Sequence, residues 1–370
     1  MLYTTESQSC KQDSGAPASI LKVKKYVELH LHLVGAVRIS TLRELAIAKN
    51  YAMSQHNSEA EIEQIISVTN PSTLADFLSK VDKYLPLFVG DAKAIERIAY
   101  ELCEDKAAQQ VTYFEVRFSP HILSNTVKHM FAERPVEPDS SRAVSPRDVI
   151  KLVGKGLRRG QRVFRNTARM ILSTVKSHSD WTAEVVDMAA KYSSEGIVGI
   201  AIDADLSAFT KAETESFRRA KEFGIHIAVQ LPEDAPPANI AYAIQFLYAK
   251  RISHGYGVFQ DAMVYDLCRQ KNVHFETCPN LSLLTGAVKP NDRHPIITFV
   301  NDGANFSINT AYPTVAKSSI DQERRLLQQY GINDDDLCRS NFNSAGASFL
   351  PSDVKSSLVQ VIEQLAKRHL

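Results

Sequence analysis

Eight short runs rich in β-branched and aromatic residues alternate with longer helical patterns, and this alternation constrains the fold more than any other feature. The runs cover 26–30, 113–118, 168–174, 196–202, 225–230, 251–253, 274–276 and 305–309. Helical patterns over 94–109, 146–164, 182–192 and 210–223 lie between them. Eight βα alternations close most simply into a single α/β domain, a (β/α)8 TIM barrel. An open doubly wound sheet is the competing arrangement. It is weakened because no G-x-G-x-x-G or G-x-x-x-x-G-K-[ST] turn follows the first run. The 370 residues exceed the usual single domain, but barrels of this length fold as one unit.

The barrel is expected over 24–370, after a flexible polar tail at 1–23. Two segments read as additions: a helical lid insertion at 40–90, after the first strand, and a polar surface loop at 123–147 carrying Pro135, Pro138 and Pro146. Leu74, Phe77, Leu78 and Val81 fall at i, i+3, i+4 and i+7, an apolar helix stripe. On spacing alone the stripe packs on the barrel or faces a substrate as a lid.

Composition narrows the partners. Lys plus Arg is 43 against 42 for Asp plus Glu, a net charge of +1, which argues against a nucleic-acid binder. No run of about 18 apolar residues predicts a membrane span. The first 22 residues lack the apolar core of a signal peptide. Five scattered cysteines without a C-x-x-C pair indicate neither a disulfide framework nor a thiolate zinc site, and the expected setting is the reducing cytoplasm.

Function in such a barrel sits where strands end. The first strand delivers His30-Leu31-His32, and alternation points residues i and i+2 to one face, so two imidazoles can share a metal. Two unrelated core histidines are the commoner meaning of that spacing. The second strand ends at Arg117 with His121 beyond, both read as bracing the barrel end. The fourth gives Asp203 and Asp205, the fifth Gln230-Leu231-Pro232-Glu233, the sixth His254 between Ser253 and Gly255, and the eighth Thr310-Ala311-Tyr312-Pro313. A hydrolytic zinc site needs at least three protein ligands and an open water position. Here the residues offer His30, His32 and His254, and no carboxylate after the eighth strand.

Several stretches together resemble the adenosine deaminase family of the amidohydrolase superfamily. They are Val27-Glu28-Leu29-His30-Leu31-His32-Leu33, Ala75-Asp76-Phe77-Leu78-Ser79-Lys80, Glu115-Val116-Arg117-Phe118-Ser119-Pro120-His121, Ile252-Ser253-His254-Gly255-Tyr256, His274-Phe275-Glu276-Thr277-Cys278-Pro279, Leu283-Leu284-Thr285-Gly286-Ala287 and Ser348-Phe349-Leu350-Pro351. The resemblance runs from about residue 24 to the end. It implies a (β/α)8 barrel and, in active members, zinc-dependent hydrolysis of adenosine and 2′-deoxyadenosine to inosine and 2′-deoxyinosine plus ammonia.

The resemblance also assigns roles. His30 and His32 match two zinc ligands, Glu233 the acid that exchanges a proton with the purine ring, and His254 the residue that orients the attacking water. Leu74, Phe77, Leu78 and Val81 match an apolar gate over the pocket, which turns the stripe from core toward gate. Other positions depart from the pattern. Gln230 replaces a third, His ligand, and Ala311 an Asp ligand. Tyr312 replaces a base-contacting Asp, Val34 a ribose-contacting Asp, Ala204 a glycine beside the purine, and Pro232 another glycine.

Bound zinc lowers the pKa of water from about 15.7 to about 7. The neutral amide of Gln230 is a poor ligand for it, and Ala311 supplies no ligand atom. His226 or His121 could supply a replacement ligand, but His226 lies about 13 Å below Gln230 on the same strand face, which counts against such a rescue. The expectation is therefore weakened or lost zinc and an inactive pseudoenzyme that binds a purine nucleoside, or a protein partner such as an active relative. An active deaminase of purine salvage with a rearranged metal shell is the alternative.

Overall fold

The computed structural model describes residues 25–56, 58–126, 143–175, 178–203 and 210–367. Eight strands form one parallel sheet in sequential order: β1 (Tyr26–His32), β2 (Val111–Phe118), β3 (Thr167–Val175), β4 (Ile197–Asp203), β5 (His226–Gln230), β6 (Arg251–Ser253), β7 (His274–Thr277) and β8 (Phe306–Ile308). The ring closes where His32 N donates to Ala311 O at 2.9 Å and Ala311 N to His30 O at 3.1 Å. This is a (β/α)8 TIM barrel. The strands are buried on both faces, by side chains inside and helices outside, so they read as near-continuous apolar runs.

β1 carries one extra residue. Glu28 pairs with Phe114 and Leu31 with Val116, so three steps on β1 oppose two on β2. Such a bulge changes which face a side chain takes. Glu28 accordingly reaches outward to Lys106 on the helix Ala92–Ala108, at 2.7 Å, whereas His30 turns inward to Glu276 on β7. Strict alternation from Glu28 would have placed both on one face.

A helical insertion follows β1, with helices Ile39–Ala48, Glu59–Ile66 and Leu74–Asp82. Thr73 caps the last by accepting Asp76 N. On its apolar stripe Phe77 and Val81 are buried, while Leu74 and Leu78 are 42% and 37% exposed. The stripe thus half belongs to the core and half stays partly exposed. Of the expected loop at 123–147, the two ends are tied: Asn125 N donates to Val144 O at 3.1 Å, and Val144 N to Asn125 Oδ1 at 2.7 Å. Its middle, like the tail at 1–23, lies outside the described residues. No described helix is long and apolar enough to cross a membrane.

At the strand starts Phe349 plugs the floor, packed with Ile171, Ala201 and Ala228. A Cβ on Gly199 would lie 2.7 Å from its ring, so close approach of plug and strand requires glycine there.

Candidate active site at the strand ends

Register sets the site. His32 pairs with Arg117, Gln230 with Ser253, and Ser253 with Glu276, so side chains from five strands meet in one layer near the C-terminal rim. Glu276 is its hub. Its Oε2 accepts from Arg117 Nη2 at 2.6 Å, from Ser253 Oγ at 2.8 Å and from His30 Nδ1 at 2.8 Å; its Oε1 meets Arg251 Nε at 2.7 Å. Burial alone would raise the Glu276 pKa, but Arg117 and Arg251 outweigh it and hold the carboxylate well below its ordinary range.

That hub fixes the histidine tautomers. His30 gives its Nδ1 proton to Glu276, leaving a bare Nε2 that has no hydrogen-bond partner among the described residues. Burial, then the nearby Arg117 charge, lowers its pKa to about 3. A carboxylate behind an imidazole is the arrangement that prepares a metal ligand. His32 differs. Its Nε2 lies 3.1 Å from Gln230 Oε1, and Arg117 Nη1, which can only donate, lies 3.5 Å from the same oxygen. The amide oxygen therefore faces both groups and His32 Nε2 carries the proton. Burial foremost, then His30 and Arg117, depresses its pKa as well. The two rings stand 5.3 Å apart.

The residues do not fit a zinc ion as they stand. One imidazole nitrogen is ready, the second is protonated toward Gln230, and Ala311 has no ligand atom. Among the described residues no group of three or more His, Cys, Asp or Glu side chains could hold a metal. Neither possible substitute approaches: His226 stacks on Phe349 at the floor, 4.7 Å between centroids, and His121 pairs with Glu184 at 3.0 Å.

Beside this shell, Glu233 and His254 are brought together, with His254 Nδ1 3.3 Å from Glu233 Oε1. Ser282 Oγ and Thr285 Oγ1 donate to the Glu233 carboxylate, the second at 2.5 Å. Burial lowers the His254 pKa, against the pull of Glu233 and Glu276. Two residues here hold left-handed backbone without being glycine: His254 at φ +60° and Ala311 at φ +53°. Such a conformation costs an alanine about 1–2 kcal/mol and marks functional loops more often than neutral ones.

Tyr312 occupies the space over His32. Its ring stacks on the imidazole at 4.1 Å with planes 16° apart and meets Phe77 edge-on at 5.8 Å. Tyr84 Oη donates to the carbonyl of Val34 at 3.0 Å. Ala204 and Asp205 lie outside the described residues.

The adenosine deaminase family model matches residues 26–365. This chain belongs to the adenosine deaminase family. It is 35% identical to the adenosine deaminase of Bos taurus over 344 residues, 92% of this chain and 93% of the relative. It is 35% identical to that of Danio rerio, with 91% and 94% covered. Among solved structures, an amidohydrolase from Burkholderia ambifaria with bound zinc superposes with a TM-score of 0.77 at 22% identity, over 94% of this chain and 93% of that one. The N6-methyl-AMP deaminase of Arabidopsis thaliana gives 0.76 at 23%, over 94% and 98%. At these identities the two structures speak to the fold.

Sequence reasoning did not single out Glu276, and it placed Arg117 at the barrel end rather than at Gln230. The available signal was charge inside otherwise apolar strands: Glu115 and Arg117 on β2, Arg251 on β6 and Glu276 on β7. A buried charge needs a buried partner, so two acids and two arginines on interior strands pointed to one network.

Proposed function

We propose that this member of the adenosine deaminase family binds a purine nucleoside and does not hydrolyse it. The carrying observation is the His32–Gln230 contact beside a ligand-free Ala311, which leaves one imidazole nitrogen where at least three ligands are needed. The retained Glu233, oriented by Ser282 and Thr285, supplies the polar contact to the purine ring. Leu74, Phe77, Leu78 and Val81 close over the ligand, the 40–90 insertion acts as their lid, and Ala204 and Tyr312 line the base. Relatives named adenosine deaminase support the ligand class. Solved structures of this fold described as complexes with IMP and GMP agree with a purine. A reducing cytoplasmic setting belongs to the same reading, supported by free thiols at Cys103, Cys268, Cys278 and Cys338.

A second reading, an active deaminase with a rearranged metal shell, is favoured by the intact Glu233–His254 pair and the bare His30 Nε2. One preparation, purified without chelators, decides between them. Metal analysis, adenosine turnover and thermal shift with adenosine, 2′-deoxyadenosine and inosine are measured together. The expected result is sub-stoichiometric metal, no inosine, and a melting point raised by a nucleoside but not in Glu233→Gln. Firmly held zinc with inosine formed at enzymatic rates, and lost in Glu233→Gln, overturns the reading.

A further inference from the structure

The opposite end of the barrel holds a second concavity. It lies between the starts of β5–β8 and the helices Asp334–Ala347 and Ser352–Lys367, with a volume of about 610 Å³. That is within the range of small-molecule sites. Its charge is one-sided. Lys250, Lys355 and Arg269 line it, against a single lining carboxylate, Asp302, which already accepts from Tyr265 Oη at 3.0 Å. Among the described residues neither lysine has an acidic partner at ion-pair distance.

Part of the wall is a stack of rings. Phe349 is clasped by His226 on one side, at 4.7 Å, and by the Arg251 guanidinium at 3.6 Å. Arg251 is itself neutralised by Glu115 at 2.6 Å and Glu276 at 2.7 Å, so it adds no free charge. Burial first, then Lys355, Arg251 and Lys250, keeps His226 neutral, and a neutral imidazole can still donate one hydrogen bond. Ammonium groups lining one hollow beside a neutral donor suit a compact, multiply charged oxyanion.

We propose that this floor cleft is a second ligand site, for a phosphate-bearing anion held by Lys250, Lys355 and Arg269. The chemistry is shared by free phosphate and by a phosphate ester, and the site is separate from the strand-end pocket where a neutral nucleoside would bind.

Calorimetric titration of the full chain with inorganic phosphate, pyrophosphate, AMP and adenosine tests it. Pyrophosphate is expected to bind saturably, more tightly than phosphate, and to weaken with salt. The variant Lys250→Ser with Lys355→Ser, at an exposed and a half-buried position, is expected to bind pyrophosphate at least about tenfold more weakly with an unchanged circular dichroism spectrum. Lys250→Arg with Lys355→Arg should retain binding, which separates lost charge from lost fold. AMP binding that depends on both lysines assigns the site to a phosphate ester; dependence seen with phosphate and pyrophosphate alone assigns it to the free anion. Adenosine binding should ignore these lysines, so the proposal stands or falls apart from the nucleoside reading. Absence of saturable pyrophosphate binding in the millimolar range, or binding equal in the double-serine variant, overturns it.

Discussion

Gln230 Oε1 and His32 Nε2 stand 3.1 Å apart and are joined by a hydrogen bond whose proton sits on the imidazole. The amide thus occupies the nitrogen that a metal would need. Replacing Gln230 by His frees it, and Asp at 311 and 312 adds carboxylates. Asp also tolerates the left-handed backbone at 311 better than Ala does. The triple variant Gln230→His, Ala311→Asp, Tyr312→Asp is expected to retain zinc near one equivalent after dialysis, where the parent retains far less. Metal analysis checks this, and an equally empty triple variant means the pocket has drifted beyond those three positions.

Tyr312 and Gly35 constrain one another. A Cβ at Gly35 would lie 2.4 Å from Tyr312 Cδ1 and 3.0 Å from its Cα. Gly35→Ala should therefore cost about 1–3 kcal/mol by overpacking, and Tyr312→Ala about 3 kcal/mol by leaving a cavity. The double variant should lose much less than the sum, because removing the ring makes room for the methyl. Urea unfolding of the four proteins gives the coupling; strict additivity would show that the ring moves aside freely.

Among the described residues Glu276 is the only acid touching His30, Arg117 and Arg251 together. Glu276→Gln leaves two buried guanidinium groups with one fewer counter-charge. Breaking such a buried network is expected to cost about 3–5 kcal/mol, read as a lower urea midpoint with an unchanged slope. A loss below about 1 kcal/mol would place the network among dispensable ion pairs.

Two buried histidines away from the strand ends predict acid sensitivity. Burial lowers His274 to about 4, against the pull of its Asn305 contact, and burial lowers His294 to about 4. His294 Nδ1 also accepts Ile296 N at 3.2 Å, which requires the neutral ring. Both folded values lie below the ordinary value near 6.5. Their stabilising contribution is therefore complete above pH 6.5 and is lost as pH falls from there toward 4, up to about 3 kcal/mol for each group. Urea midpoints at pH 7, 6 and 5 should fall in that order, and less steeply in His274→Gln. A midpoint flat over that range contradicts the burial of both rings.

Much of the barrel was legible because strands buried on both faces announce themselves as short apolar runs, and all eight were placed to within a few residues. The residues at the rim were legible for the same reason: once a strand's end is located, His30, His32, Gln230 and His254 follow. The interior network was not. Its members sit alternately among Val, Ile and Phe on different strands, and only barrel register brings Ser253 beside Glu276. The bulge in β1 was also hidden, since an extra residue leaves no mark on a period-two pattern until its partner strand is known. The gate stripe was half legible. Spacing identified one helix face, but it cannot say that Phe77 turns to Tyr312 while Leu74 and Leu78 stay partly exposed.

The left-handed turn at Ala311 is secured by two main-chain hydrogen bonds to β1 and not by anything its methyl group does. Shape and reactivity are therefore uncoupled at this corner. The ring closes through the main chain whichever side chain stands there, so a change in what this position can do chemically need not open the barrel.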